Sequence, residues 1–371
     1  MNFKIYRSEL LLALTKVNKA VSSNSPLPVL SGIKFDVTND SLILTGSDSN
    51  ITIQTTIKAK EDILEIYEKG SVVLGSRLIS EIVRKMESDF ITLEIIDGAL
   101  TKIKGNDSTF NLNGYKPMEY PKIELKEVGE HFKINSDILK TIISQTIFAT
   151  SKVEIRPIFT GVNFVAKDKL LSATATDSYR LAKKTIELNQ DIKFNITIPY
   201  KSLSDITSII EKVEDIDVYV SDRKVLFISN QLKIQTRLID GTYPDVNRLI
   251  PETYLYELNI ETKDLLSAID RASLLASDGN SIIKLTMSEQ TVLITSNSQE
   301  MGSVKEILTA CEFKGEPLGI SFNSRYVSEA IKSIGSSSVS IYFNGDMNPF
   351  IIKDKKDKSI IQLVLPVKTY N

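Results

Sequence analysis

Two sets of residues recur along this chain of 371 residues at a nearly constant interval. That period constrains the fold more than any composition does. Three segments open on a hydroxyl and continue as amphipathic helix: Ser8-Glu9-Leu10-Leu11, Ser136-Asp137-Ile138-Leu139 and Thr262-Lys263-Asp264-Leu265-Leu266, spaced 128 and 126 residues apart. A hydroxyl ahead of an apolar run predicts a helix start, because its oxygen accepts from the unpaired amides of the first turn. The second set follows an apolar strand in each third, as Leu74-Gly75-Ser76-Arg77, Ile198-Pro199-Tyr200-Lys201 and Phe322-Asn323-Ser324-Arg325. Here Arg77, Lys201 and Arg325 are 124 residues apart, and so are Ser80-Glu81, Ser204-Asp205 and Ser328-Glu329. Two sets at one period predict three similar domains, at 1–128, 129–252 and 253–371, joined without any Gly/Ser/Pro-rich linker.

Between the helices the pattern is of strands joined by tight turns. Leu42-Ile43-Leu44 and Ile51-Thr52-Ile53 flank Gly46 to Asn50, Ile91-Thr92-Leu93 turns through Asp97-Gly98, and Ile341-Tyr342-Phe343 through Asn344-Gly345. Lys353 to Lys358 reads as a solvated hairpin tip. Each third then carries about two short helices and many antiparallel strands, an α+β composition with helices on one face of the sheets. In the first helix Leu10, Leu14, Val17 and Val21 form one apolar stripe, opposite Lys16 and Lys19. Helices turned toward a common centre would make Lys16, Lys19, Lys140, Lys201, Arg271 and Lys332 a basic inner wall. The alternative is that these are ordinary solvated helix positions.

The scarce residues exclude whole classes of chemistry. One cysteine, Cys311, forbids an intrachain disulfide and a Cys-rich zinc site, which suits a reducing, cytoplasmic setting. One histidine, His131, leaves a Ser-His-Asp triad or a two-His metal site without its usual parts; within Glu130-His131-Phe132-Lys133-Ile134 it is expected on the solvent face of a strand. Forty-five Lys+Arg against 47 Asp+Glu give a formal net charge of −2, so a uniformly basic surface is excluded while a segregated basic face is not. No signal peptide is read at the N-terminus. No apolar run approaches the roughly 18 residues that would cross a bilayer. Gly70-Ser71-Val72-Val73-Leu74-Gly75-Ser76-Arg77 imitates a phosphate-binding loop without its Lys-Ser/Thr pair and is expected as a structural turn. Asp177 and Glu154 are the most that can be offered as an acid/base pair for a hydrolase, with no chemical partner at defined spacing. No cofactor is expected.

Three stretches carry more: Arg156-Pro157-Ile158-Phe159-Thr160-Gly161-Val162, Ala175-Thr176-Asp177-Ser178-Tyr179-Arg180-Leu181-Ala182, and Leu238-Ile239-Asp240-Gly241-Thr242-Tyr243-Pro244-Asp245 running to Ile250-Pro251. With Leu27-Pro28-Val29-Leu30 near the start and Leu365-Pro366-Val367-Lys368 near the end, the chain resembles, over its full length, the bacterial DNA polymerase III beta subunit family, the sliding clamps. The resemblance implies three clamp-fold domains per chain and a head-to-tail homodimer. Its six-domain ring would have sheets outside and helices lining a central hole for duplex DNA. It implies a non-catalytic processivity factor that tethers the replicative polymerase, with the clamp loader and repair proteins as further partners. A generic peptide-binding repeat scaffold is the other reading left by fold alone.

Residue by residue, the resemblance places a partner-peptide pocket at Phe159, Thr176, Tyr179, Arg180, Leu181, Pro244, Arg248 and Leu249, closed by Val364, Pro366, Val367 and Lys368. Apolar members would make its floor, and Tyr179, Arg180, Arg248 and Lys368 a polar rim. The family commonly has His at the position of Tyr179, and Met-Arg or Val-Arg where Val367-Lys368 stands. Lysine keeps the charge but loses the planar fork. The basic residues named above would face DNA, and Leu274 and Leu275 would pack near Phe110 of the partner copy. Where the family can carry a DNA-facing Arg this chain has Asn24, so no contact is assigned there.

Overall fold

A computed structural model describes residues 1–22, 25, 27–210, 213–276 and 281–369; Asn24 therefore lies outside the described residues. The first third of the chain runs β1 (Asn2–Tyr6), α1 (Arg7–Val17), β2 (Gly32–Val37), β3 (Ser41–Ser47), β4 (Ile51–Lys58), β5 (Leu64–Glu68), β6 (Gly70–Gly75), α2 (Ser76–Lys85), β7 (Phe90–Asp97), β8 (Leu100–Lys104) and β9 (Thr109–Asn113). The second runs β10 (Glu130–Asn135), α3 (Ser136–Ser144), β11 (Gly161–Lys167), β12 (Leu170–Thr176), β13 (Arg180–Glu187), β14 (Phe194–Pro199), α4 (Tyr200–Ile209), β15 (Asp215–Val220), β16 (Lys224–Ser229) and β17 (Leu232–Arg237). The third runs β18 (Tyr256–Glu261), α5 (Thr262–Ser273), β19 (Ile282–Met287), β20 (Val292–Ser298), β21 (Gly302–Leu308), β22 (Cys311–Lys314), β23 (Leu318–Asn323), α6 (Ser324–Ile334), β24 (Ser338–Phe343), β25 (Phe350–Lys353) and β26 (Ile360–Val364).

The repeat is visible in one device used six times: a strand runs into a helix with no residue between, at β1–α1, β6–α2, β10–α3, β14–α4, β18–α5 and β23–α6. This corrects two expectations. Gly70 to Gly75 is strand leading into α2, not a turn. The helix caps are the last strand residues, whose extended backbone already faces the first turn: Tyr6, Gly75 and Glu261 make no side-chain cap bond, while Asn323 accepts from the amides of Arg325 and Tyr326. Ser8 and Thr262 sit inside their helices, and Ser136 Oγ instead accepts from the amide of Glu214 at 3.2 Å. Helical spacing sets the buried faces, Leu10, Ala13, Leu14 and Val17 on α1 and Val327, Ala330, Ile331 and Ile334 on α6. Val21 lies beyond α1. Gly335, at φ 77°, supplies the left-handed residue that ends α6.

Among the described residues the strands form four sheets with antiparallel pairing. Two compact units result, Met1–Ser136 with Asp205–Leu238, and Asp137–Ser204 with Ile239–Asn371. The first unit holds sheets ordered β5-β1-β7-β8-β9 and β10-β15-β16-β17-β4-β3-β2-β6. The second holds β14-β11-β12-β13-β26-β25-β24-β18-β22 and β21-β20-β19-β23. In the second unit α5 and α6 share one apolar core with residues of both sheets, among them Leu258, Leu285, Phe322, Phe343 and Phe350. Two seams cross the sequence repeat, β4 with β17 (Ile53 opposite Ile234) and β13 with β26 (Leu181 opposite Leu363). The hairpins expected at 42–53 and 91–98 form, the first in continuous register and the second with a register shift between Ile95 and Asp97.

His131 is half-buried on β10, not simply solvated. Its Nε2 lies 2.7 Å from Asp217 Oδ1 and its ring stacks on Tyr219 at 4.5 Å. Burial pushes the Asp217 carboxyl up, but hydrogen bonds from His131 and Lys133 outweigh it and hold the group below the ordinary range. The Lys353–Lys358 tip is likewise anchored, because Asp357 accepts from Lys184, a buried residue of β13. Among the described residues no helix is long and apolar enough to cross a membrane, and no group of three or more His, Cys, Asp or Glu is arranged to hold a metal.

The capping geometry distinguishes two polar residues near helix starts of the repeat. Asn323→Ala should lower stability by about 1 kcal/mol, the usual worth of an N-cap side chain, and Ser8→Ala by less than about 0.5 kcal/mol. Thermal midpoints of the two variants measure this, and equal losses would contradict the assignment.

Candidate functional site

The motif blocks at Arg156 and Ala175, the third block from Ile239 onward and the C-terminal tail converge within the second unit. Phe159, Leu181, Tyr243, Val246, Ile351 and Leu363 form one buried cluster, against which Ile158, Ile250, Tyr254, Ile361 and Leu365 pack. Phe159 meets Tyr243 edge to face, ring centroids 5.8 Å apart. Gly161 opens β11 beside Pro199, and a Cβ there would stand 2.6 Å from the Ile198 carbonyl oxygen, so this motif glycine is required by close approach.

The pocket residues divide by exposure. Tyr179 is 61% exposed and Leu249 55%, two large side chains left to solvent. Pro244, Arg248 and Lys368 are exposed, and Pro366 and Val367 half-buried. Thr176, Leu181 and Val364 are buried; the last two sit on the β13–β26 seam, so they underlie the surface and do not line it. The sequence reading missed Tyr243, Val246, Ile351 and Leu363. The uninterrupted apolar runs Phe350-Ile351-Ile352 and Ile360-Ile361 were the available signal that these strands are covered.

Arg180 is not part of a polar rim. It is 6% exposed, and every arm of its guanidinium is engaged. Nε donates to Asp177 Oδ2 at 3.0 Å, Nη1 to Glu329 of α6, and Nη2 to the Phe148 carbonyl at 2.6 Å. The planar group lies over the Tyr326 ring at 4.5 Å and the Phe148 ring at 5.3 Å. Asp177, posed earlier as a catalytic acid, is structural: its Oδ1 accepts from the amides of Tyr179 and Arg180 and so shapes the β12–β13 turn. Ser178 takes φ 78° at the tip of that turn. Burial pushes the Glu329 carboxyl up, but hydrogen bonds from Arg180 and Arg325 prevail and hold it below its ordinary value of 4.5. The tail is threaded across: Leu365 donates its amide to the Tyr179 carbonyl at 2.9 Å, and Val367 donates to that of Ser321 at 2.7 Å.

The six basic residues lie on helical segments: Lys16 on α1, Lys19 on the following short turn Asn18–Ala20, Lys140 on α3, Lys201 on α4, Arg271 on α5 and Lys332 on α6. Lys201, Arg271 and Lys332 are exposed, Lys16 and Lys19 lie beside and beyond the buried face of α1, and Lys140 is half-buried. Lys16 lines a hollow of about 460 Å³ with Glu9 and Glu214. Arg271 departs from the expected loosely held charge, because Glu306 of β21 takes both its Nε and Nη2. That bond holds the Glu306 carboxyl below the ordinary range. Phe110 is exposed on β9, the outer strand of its sheet. Leu274, directly after α5, is 75% exposed and so is not a core residue, while Leu275 is half-buried.

Comparison with known proteins covers the chain from end to end. Sequence models of the DNA polymerase III beta subunit match residues 1–124 (N-terminal domain), 133–245 (central domain) and 247–368 (C-terminal domain). The chain is 42% identical over 376 residues to the beta sliding clamp of Staphylococcus epidermidis, covering 100% of both. It superposes on the crystal structure of the DNA polymerase sliding clamp from Bacillus subtilis with a TM-score of 0.97 at 39% identity, covering 100% of both chains. For the DNA polymerase beta subunit of Streptococcus pyogenes the TM-score is 0.95 at 32% identity, again over 100% of both. Three consecutive clamp domains on one chain, with the sheets and helices of solved clamps, make this protein a member of the DNA polymerase III beta subunit family, the beta sliding clamps.

Proposed function

We infer that this chain acts by topology alone. It is a DNA sliding clamp, a processivity factor without catalysis of its own that works with DNA and the replicative polymerase. The observation that carries this is the consecutive match of all three family domains along one chain. The finer reading divides the chain at 1–128, 129–252 and 253–371 and closes two copies head to tail into a ring. Two features support closure. The outer edge of β9 beside Phe110 and that of β21 are each free of a strand partner among the described residues, and exposed Leu274 stands at the end of α5, which Arg271 ties to β21. Unpaired strand edges are natural partners for one another. Lys16, Lys19, Lys140, Lys201 and Lys332 face the DNA as backbone-directed charges, and Arg271 contributes less because Glu306 offsets it. Such contacts carry no base recognition and permit sliding. The protein works in the cytoplasm.

A closed ring should be retained on nicked circular duplex DNA after loading and lost from the same DNA once it is cut. Gel filtration of loaded complexes reads this directly. Equal loss from circular and linear DNA would contradict topological binding.

The surface around Tyr179, Pro244, Leu249, Pro366, Val367 and Lys368 is the docking groove for short apolar-anchored peptides of the polymerase, the clamp loader and repair proteins. Its support is two large exposed side chains, Tyr179 and Leu249, whose near neighbours in the chain, Leu181 and Ile250, belong to a preformed apolar cluster. A peptide that orders only on binding is weak alone, so tight partners gain from a second contact. Because Leu181 and Val364 are core, the discriminating substitution is at an exposed position. Leu249→Asp should weaken a fluorescent peptide from the polymerase's clamp-binding motif by roughly tenfold or more, as loss of a central apolar anchor does, with the dimer intact by light scattering. Unchanged titration would remove this surface from the account.

A further inference from the structure

We infer that Glu329, on α6 and outside the groove, is a positioning residue that holds the partner-binding surface in its competent shape through Arg180. The inference rests on the groove proposed above. A guanidinium offers donors in a fixed plane and no acceptor, so its orientation is set by where its acceptors stand. Asp177 lies on the same turn as Arg180 and ties that turn only to itself. Glu329 is 149 residues away and belongs to another element, and its carboxylate joins the turn to α6 through Arg180 Nη1. Its second oxygen accepts from Arg325 Nε at 2.9 Å, which fixes the carboxylate plane.

What the turn carries is the surface in question. The Tyr179 ring stacks at 6.4 Å on Tyr326, one helical turn before Glu329 on α6, and the Tyr179 carbonyl receives the Leu365 amide at the start of the tail. Glu329, Arg180 and Asp177 therefore fix the Tyr179 side chain and the first tail residue together. Removing the Glu329 charge while keeping its shape leaves Nη1 with a weaker neutral partner at a buried site. The turn then gains freedom that a bound peptide must remove again, and binding weakens without loss of any direct contact.

The test is Glu329→Gln in the full-length dimer, titrated with the same polymerase peptide, with Glu81→Gln on α2 as a control for removing an exposed helix ion pair. Glu329→Gln should weaken the peptide roughly tenfold through lost preorganisation, and Glu81→Gln should leave it unchanged. In protein labelled with 3-fluorotyrosine, the Tyr179 resonance, assigned by its loss in Tyr179→Phe, should move in Glu329→Gln. If Glu329→Gln does not fold, Glu329→Asp, which keeps the charge but shortens the reach, should show a loss of roughly threefold by the same mechanism. Wild-type affinity in the folded variant overturns the inference, as does weaker binding with an unmoved Tyr179 resonance. Peptide binding that Leu249→Asp abolishes and Glu329→Gln leaves intact overturns this inference and spares the groove; a wild-type protein that does not bind the peptide overturns both.

Discussion

Two antiparallel seams hold the structure to its plan. β4 pairs with β17 and β13 with β26, so two sheets continue across the junctions of the sequence repeat as hydrogen-bonded ladders. A ladder satisfies backbone groups that would otherwise be left at exposed strand edges, and it fixes register because a one-residue slip would reverse every side chain. The second third of the chain is thereby shared between the two compact units, its β10, β15, β16 and β17 in one and its β11 to β14 in the other. No linker is needed where a sheet is the joint.

The proposed groove sits at the end of one seam for the same reason. Arg180 is the first residue of β13 and stands opposite Val364, the last of β26. The β12–β13 turn and the C-terminal tail therefore leave the sheet side by side, with the apolar cluster beneath them. The charge distribution follows a complementary rule. The guanidinium buried among Asp177, Glu329 and Phe148 orders structure, whereas the lysines assigned to DNA lie on helix surfaces where solvent keeps each contact weak. The carboxylate of Glu306 tempers the charge of Arg271 further, which suits a protein that must move along its ligand.

The repeat, the strand and helix content and the hairpins were legible because each depends on local period and turn chemistry. The cap positions were not: the strands run on to the first helical residue, so Ser8 and Thr262 fall one or two places too late to cap. Nor was the burial of Arg180, since a charged residue in an exposed-looking motif is covered only by partners far away in sequence, Glu329 and Phe148. Leu181 and Val364 were named with the pocket, yet pairing between strands far apart in the sequence, β13 in the second third and β26 near the end of the third, puts them in the core. The motif residues Gly161 and Asp177 answer to backbone geometry, whereas Tyr179 and Leu249 are left exposed.

Covalent closure of the ring tests the central claim most directly. With Cys311 replaced by Ser, cysteines introduced at Phe110 and Leu275 would be cross-linked after loading on a nicked circular plasmid. The account predicts that the protein then stays with the circle in denaturing detergent and is released when the plasmid is linearised. Release from the intact circle despite complete cross-linking of both interfaces would contradict it.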